Sequence, residues 1–292
     1  MKMKRSEKLG MLTGLVVGVL LLLISVFMIF QTTCKVWGAE KPANATQQGI
    51  DVSSHQGKID WEQVKNSALA DYAIIRCGYG VNQTDKDDKY WDYNSSECER
   101  LGIPYGTYLY SGADTTAKAK SEAEHVVRLL QGKNLTYPIY YDMEADMLNQ
   151  LSSTQIGNIA KTFLNTMESY GYKNVAVYSN KYLFETKLTA SVFSDYPKWI
   201  AQHSNKCTYQ GSYHMWQYST QGVIPGISEK VDLNYKIGNW TYAGYSSAKK
   251  TVVVKPKATT IKSLRKSGKK AVKITYKKVS GVSGYQIYMS TK

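Results

Sequence analysis

Cysteine and histidine are scarce in this chain. Four cysteines (Cys34, Cys77, Cys98, Cys207) and four histidines (His55, His125, His203, His214) are scattered over 292 residues. No CxxC pair and no metal-ligand spacing occurs, which argues against a zinc site or redox motif; no metal and no cofactor is expected. Cys77 and Cys98 either bridge outside a cell or remain buried free thiols. Acids are missing at the C-terminal end: residues 249–292 hold 13 Lys or Arg and no Asp or Glu. The first ten residues add Lys2, Lys4, Arg5 and Lys8 against Glu7 alone. The net charge of +14 therefore belongs to the two ends, and the 238 residues between carry 20 basic and 22 acidic side chains. Nucleic-acid binding needs a basic footprint on a folded domain. The middle has none, so nucleic acid is not an expected partner. The basic tail reads as solvated surface, suited at most to weak, unspecific contact with anionic polymers or headgroups.

Charge is absent again from Met11 to Phe30, "MLTGLVVGVLLLLISVFMIF". About 20 apolar residues span a bilayer core, whereas the apolar part of a signal peptide is usually shorter. Residues 11–30 are expected to be a transmembrane anchor or a signal sequence. Ala43-Asn44-Ala45 has the form of a cleavage site but lies far downstream. Residues 1–10 would stay cytoplasmic by the positive-inside rule. Residues 31–47 read as a linker, and everything beyond about residue 31 is outside in either case.

From residue 48 to 239 short apolar stretches alternate with longer amphipathic ones. Eight strands are predicted, beginning at "GIDVS" (49), "YAIIRCG" (72), "YGTYLYS" (105), "PIYYDME" (138), "NVAVYS" (174), "KWIAQ" (198), "YHMWQYS" (213) and "KVDLN" (230). Helical patterns separate the first five, the longest with Ser152 and Gln155 placed as a capping box and Gly171 as its stop. The last three strands follow with little helix. Such alternation predicts a parallel sheet closed into a small, irregular TIM-like barrel with fewer than eight helices. Barrels of this kind put chemistry at the C-terminal ends of their strands.

Acids sit at those ends. In "YYDMEAD", residues 140–146, strand alternation puts Tyr140, Asp142 and Glu144 on one face and Ile139, Tyr141 and Met143 on the other. Asp51 ends the first strand and Asp232 is expected to end the eighth. A turn or helix cap explains any one of these acids; four at strand ends point to an active site.

The segments "GIDVSSHQGKIDW", "YAIIRCGYG", "LGIPYGTYLYS", "PIYYDMEAD", "VYSNKYL", "WIAQHS" and "MWQYSTQGVIPGISEKVDLN" resemble, in order, the signatures of glycoside hydrolase family 25. Those enzymes are muramidases (lysozymes) that cut peptidoglycan. The resemblance covers residues 48 to about 239 and implies peptidoglycan glycan strands as substrate. It implies Asp142 and Glu144 as the family's DxE pair, with Glu144 as general acid and Asp51, Asp142 and Asp232 assisting. His203 stands where many relatives have an aromatic residue. Desolvation and the Asp142 charge are expected to raise the Glu144 pKa. Whether water attacks directly or the 2-acetamido oxygen assists stays open. Tyr79, Tyr108, Tyr178, Trp199 and Gln217, near strand ends, are expected to bind the glycan, with Trp61 and Trp216 in the core. Residues 240–257 read as a linker. Residues 258–292 resemble the first strands of a fibronectin type III β-sandwich, and are too few to complete one. The expected location is the outer face of the membrane, or the secreted space, with the tail touching anionic wall polymers weakly.

Overall fold

The computed structural model describes residues 39–241, 259–267 and 272–277. Residues 11–30, Cys34 and most of the tail lie outside the described residues. No described helix is long and apolar enough to cross a membrane.

Eight strands form one closed barrel in chain order: β1 (Ala45–Val52), β2 (Tyr72–Tyr79), β3 (Tyr105–Tyr110), β4 (Ile139–Asp142), β5 (Val175–Asn180), β6 (Lys198–Ala201), β7 (Met215–Gly222) and β8 (Val231–Ile237). The described helices around it are α1 (Trp61–Ser67), α2 (Trp91–Leu101), α3 (Thr116–Leu129), α4 (Ser153–Ser169), α5 (Lys181–Thr186) and α6 (Val192–Asp195). All eight predicted strands are present. Between β5 and β6 two short helices stand where little helix was expected.

The sheet departs from the uniformly parallel expectation at β8, which runs antiparallel to both β7 and β1. The eight residues between β7 and β8 are too few for a parallel crossover, which takes a dozen or more. This corrects the position of Asp232. It is the second residue of β8, not a residue at its end, and strand reversal brings it to the mouth, in register with Asp51.

Two apolar layers hold the barrel. Tyr72, Ile74, Tyr140, Ala176, Trp199 and Met215 fill the lumen, while Ile75, Leu109, Ile139, Tyr141 and Val177 face the helices. The alternation in β4 is thus realised, with Tyr140 inside and Tyr141 outside. Tyr141 stacks on Phe163 of α4, ring centroids 3.8 Å apart. That helix buries Ile156, Ile159, Ala160, Phe163, Leu164 and Met167, a stripe at spacings of three and four. Its capping box is formed by Ser152 and Gln155, and Gly171 at φ 91° turns the chain away. Trp61 and Trp216 are core residues. Cys77 and Cys98 are buried and free; burial pushes the Cys77 thiol up to about 12, far from a reactive thiolate.

Residues 249–292 form a second unit. Its described part is an antiparallel hairpin of β9 (Ile261–Lys266) and β10 (Val272–Tyr276) whose Ile261, Leu264, Val272 and Tyr276 are exposed.

Candidate active site

The barrel mouth holds a pocket lined by Asp51, Tyr108, Asp142, Glu144, Tyr178, Trp199, Gln217 and Asp232. These residues come from seven of the eight strands, all but β2, and the turn after β4. Four carboxyls therefore share one small, largely desolvated space.

Asp51 is buried but well hydrogen-bonded. Its Oδ2 accepts from Asn234 Nδ2 at 2.7 Å and from Gln217 Nε2 at 3.0 Å. Burial raises its pKa, and the two amide donors, with a hydrogen bond from Asp232, offset part of that rise. Asp232 is pushed up to about 8 by burial, then by the charge of Asp51. The hydrogen bond between the two favours an ionised Asp51 and a protonated Asp232.

Asp142 is buried, and its Oδ1 has no hydrogen-bond partner among the described residues. Burial holds its carboxyl well above the usual range; Glu144 and Asp51 add to this and Arg76 opposes it. Glu144 lies beyond the end of β4 and is partly exposed. Burial and then the Asp51 charge raise it, while His203 lowers it. The expected repulsion between Asp142 and Glu144 is present and raises Asp142. Asp142 is the deeper of the two, and its carboxyl is held the further above the usual range.

Gln217 reaches the pocket, but its amide is committed. Nε2 serves Asp51 and approaches Asp232 Oδ2 at 3.5 Å; Oε1 accepts from Tyr178 O–H at 2.9 Å and bonds His203 Nε2 at 3.0 Å. It organises carboxyls and has no polar atom left for a sugar. Trp199 and Tyr178 are buried, ring centroids 4.4 Å apart, and form the pocket wall. Trp199 Nε1 donates to Asn234 Oδ1 at 2.8 Å, so Asn234 links the wall to Asp51. Tyr108 packs edge-on to Trp199.

Tyr79 does not join the pocket. It follows a bulge in β2 between Arg76 and Gly78 and pairs with Tyr110 of β3, and its exposed ring lies under the Lys86 ammonium at 5.0 Å. Asn234, Arg76 and His203 are parts of the site's surroundings that the sequence reading did not assign. For Asn234 the signal was available: it stands two residues after Asp232 and shares its strand face. Among the described residues no group of three or more His, Cys, Asp or Glu is arranged to hold a metal.

The sequence model of the family described as glycosyl hydrolases family 25 matches residues 50–227. The uncharacterized protein YegX of Escherichia coli K12 is 27% identical over 199 residues, covering 66% of this chain and 70% of that protein. The autolytic lysozyme of Clostridium acetobutylicum is 30% identical over 188 residues, 64% of this chain and 55% of that one. Among solved structures, the modular autolysin LytC of Streptococcus pneumoniae is 33% identical with a TM-score of 0.60, over 65% of this chain and 46% of that one. The chain spans about half the length of the autolytic lysozyme and of LytC. The family match runs from the strand carrying Asp51, through Asp142 and Glu144, to the loop before Asp232, and covers more than half of the chain, which therefore belongs to glycosyl hydrolases family 25.

Proposed function

We propose that the barrel is a muramidase, hydrolysing the β-1,4 bond between N-acetylmuramic acid and N-acetylglucosamine in peptidoglycan. One observation carries this reading: carboxyls from β1, β4 and β8 converge on a single pocket in an otherwise aromatic barrel. Glycosidic cleavage needs a neutral acid beside the leaving oxygen and negative charge facing the developing oxocarbenium ion. Desolvation together with mutual repulsion supplies both kinds of carboxyl in one place.

Glu144, at the rim and raised by burial and Asp51, is the general acid. Asp51, turned toward its ionised form by two amide donors, faces the positive charge of the ring, with the protonated Asp232 beside it. Asp142, with Oδ1 unpartnered, takes up the 2-acetamido group or directs a water. The first route is acetamido-assisted, the second inverting. Tyr108, Tyr178 and Trp199 supply the ring faces against which sugar packs. Residues 11–30 hold the barrel at the outer membrane face or direct its secretion, and the basic tail gives weak contact with anionic wall polymers.

The test is incubation of the protein with purified peptidoglycan, followed by borohydride reduction and mass spectrometry. New N-acetylmuramic acid reducing ends are expected. Release of N-acetylglucosamine ends alone, or no release, overturns the reading.

A further inference from the structure

We propose that His203 is a positioning residue of this pocket: it fixes the Gln217 amide so that the NH2 group serves Asp51 and Asp232. The inference rests on the glycosidase reading of the pocket.

An ionised carboxylate only accepts hydrogen bonds. The Gln217 nitrogen, 3.0 Å from Asp51 Oδ2 and 3.5 Å from Asp232 Oδ2, must therefore face the acids. Oε1 then points the other way, toward Tyr178 O–H and His203 Nε2. An amide oxygen only accepts, so His203 carries a proton on Nε2 and donates it. The amide orientation is set from both sides: two donors at its oxygen, two acceptors at its nitrogen. A half-turn of the amide would set Oε1 against Asp51 Oδ2, oxygen against oxygen, and strip Asp51 of one of its two amide donors.

His203 follows β6 and is exposed at the rim, with Nε2 turned inward. It does not line the pocket. Its influence on the acids through this contact runs by way of Gln217. The buried Tyr178 donor alone holds the oxygen when His203 is replaced, so the orientation is weakened rather than lost.

The experiment compares His203→Phe, which keeps a ring without a donor, with His203→Gln, which restores a side-chain N–H, and His203→Ala. On peptidoglycan, His203→Phe and His203→Ala should lose about three- to tenfold in kcat at unchanged KM, in line with one neutral hydrogen bond. His203→Gln should recover most of the loss. Equal losses in His203→Gln and His203→Phe, or full activity in His203→Phe, overturn the proposal. So does a rise in KM at constant kcat, which would mark a sugar contact. Side-chain amide NMR of Gln217 gives a readout independent of turnover. Its NH2 protons should be downfield and slow to exchange in the wild type and His203→Gln, and shifted upfield and faster in His203→Phe. Unchanged Gln217 resonances in His203→Phe overturn the proposal. Absence of wild-type hydrolysis with these NMR changes present overturns the glycosidase reading instead.

Discussion

Asn234 gives the sharpest test of the charge arrangement in the pocket. Asn234→Leu keeps the number and branching of the side-chain heavy atoms and removes both polar ends. The Nδ2 donor to Asp51, at 2.7 Å, is the shorter of the two amide bonds that carboxyl receives. Hydrogen bonds to charged groups are worth about 1.5–3 kcal/mol, which is roughly ten- to a hundredfold in rate if the ionised form is the reactive one. With that donor gone, burial acts on Asp51 with less opposition, and its pKa rises further. The acid limb of kcat/KM, which reports the group that must be ionised in the free enzyme, should therefore move to higher pH. The loss should be greatest on the acidic side and shrink as pH rises past the displaced limb. The same variant orphans Trp199 Nε1, a buried donor, and should lower unfolding stability by about 1–3 kcal/mol. Urea melts measure that part separately, at temperatures where both proteins are folded. A folded Asn234→Leu protein with the acid limb in place would show that Asp51 need not be ionised, and would sink the argument.

Glu144→Gln should abolish turnover while leaving the melt and glycan binding intact; near-normal hydrolysis by the folded variant removes Glu144 from the acid role. Asp51→Asn should lower the alkaline limb, measured on residual activity, because the Asp51 charge is what raises Glu144 after burial. Asp142→Asn should move that limb less, since Asp142 is the more deeply buried carboxyl and is held further above the usual range. The opposite pattern in the two pH profiles refutes that reasoning. Deleting residues 249–292, a separate unit, should not slow cleavage of soluble glycan oligomers; a loss above about tenfold would mean that the tail completes the site.

The barrel was legible because most of its strands and helices keep their periods of two and 3.6. β4 shows this: Tyr140 enters the lumen and Tyr141 packs on α4, as alternation requires. The direction of β8 was not read, although the length of its connection carries the information. Eight residues close an antiparallel pair and cannot cross a barrel. Asp232 was assigned to the mouth for the wrong reason. At the end of a parallel strand it would have needed to be the last residue, yet it is the second, and only reversal puts it beside Asp51.

The same lesson separates Tyr79 from Tyr108. Both stand near strand ends, and proximity to an end was taken as the criterion for the groove. Parity carries Tyr108, opposite Arg76 in the β2–β3 pairing, into the pocket, whereas a bulge between Arg76 and Gly78 breaks the alternation of β2 before Tyr79, whose exposed ring meets Lys86 instead. Parity also carries Asn234 to the side of Asp232. What parity cannot carry is the partition of protons. Asp142 and Glu144 are equivalent in sequence, two acids on one face, and differ only in depth. One is enclosed with an unpartnered oxygen and the other is at the rim. Depth is set by where β4 stops, at Asp142 itself, which leaves Glu144 on the outgoing turn. The general acid is therefore the carboxyl that the strand releases toward solvent, close enough to Asp51 to be raised and open enough to reach a leaving oxygen.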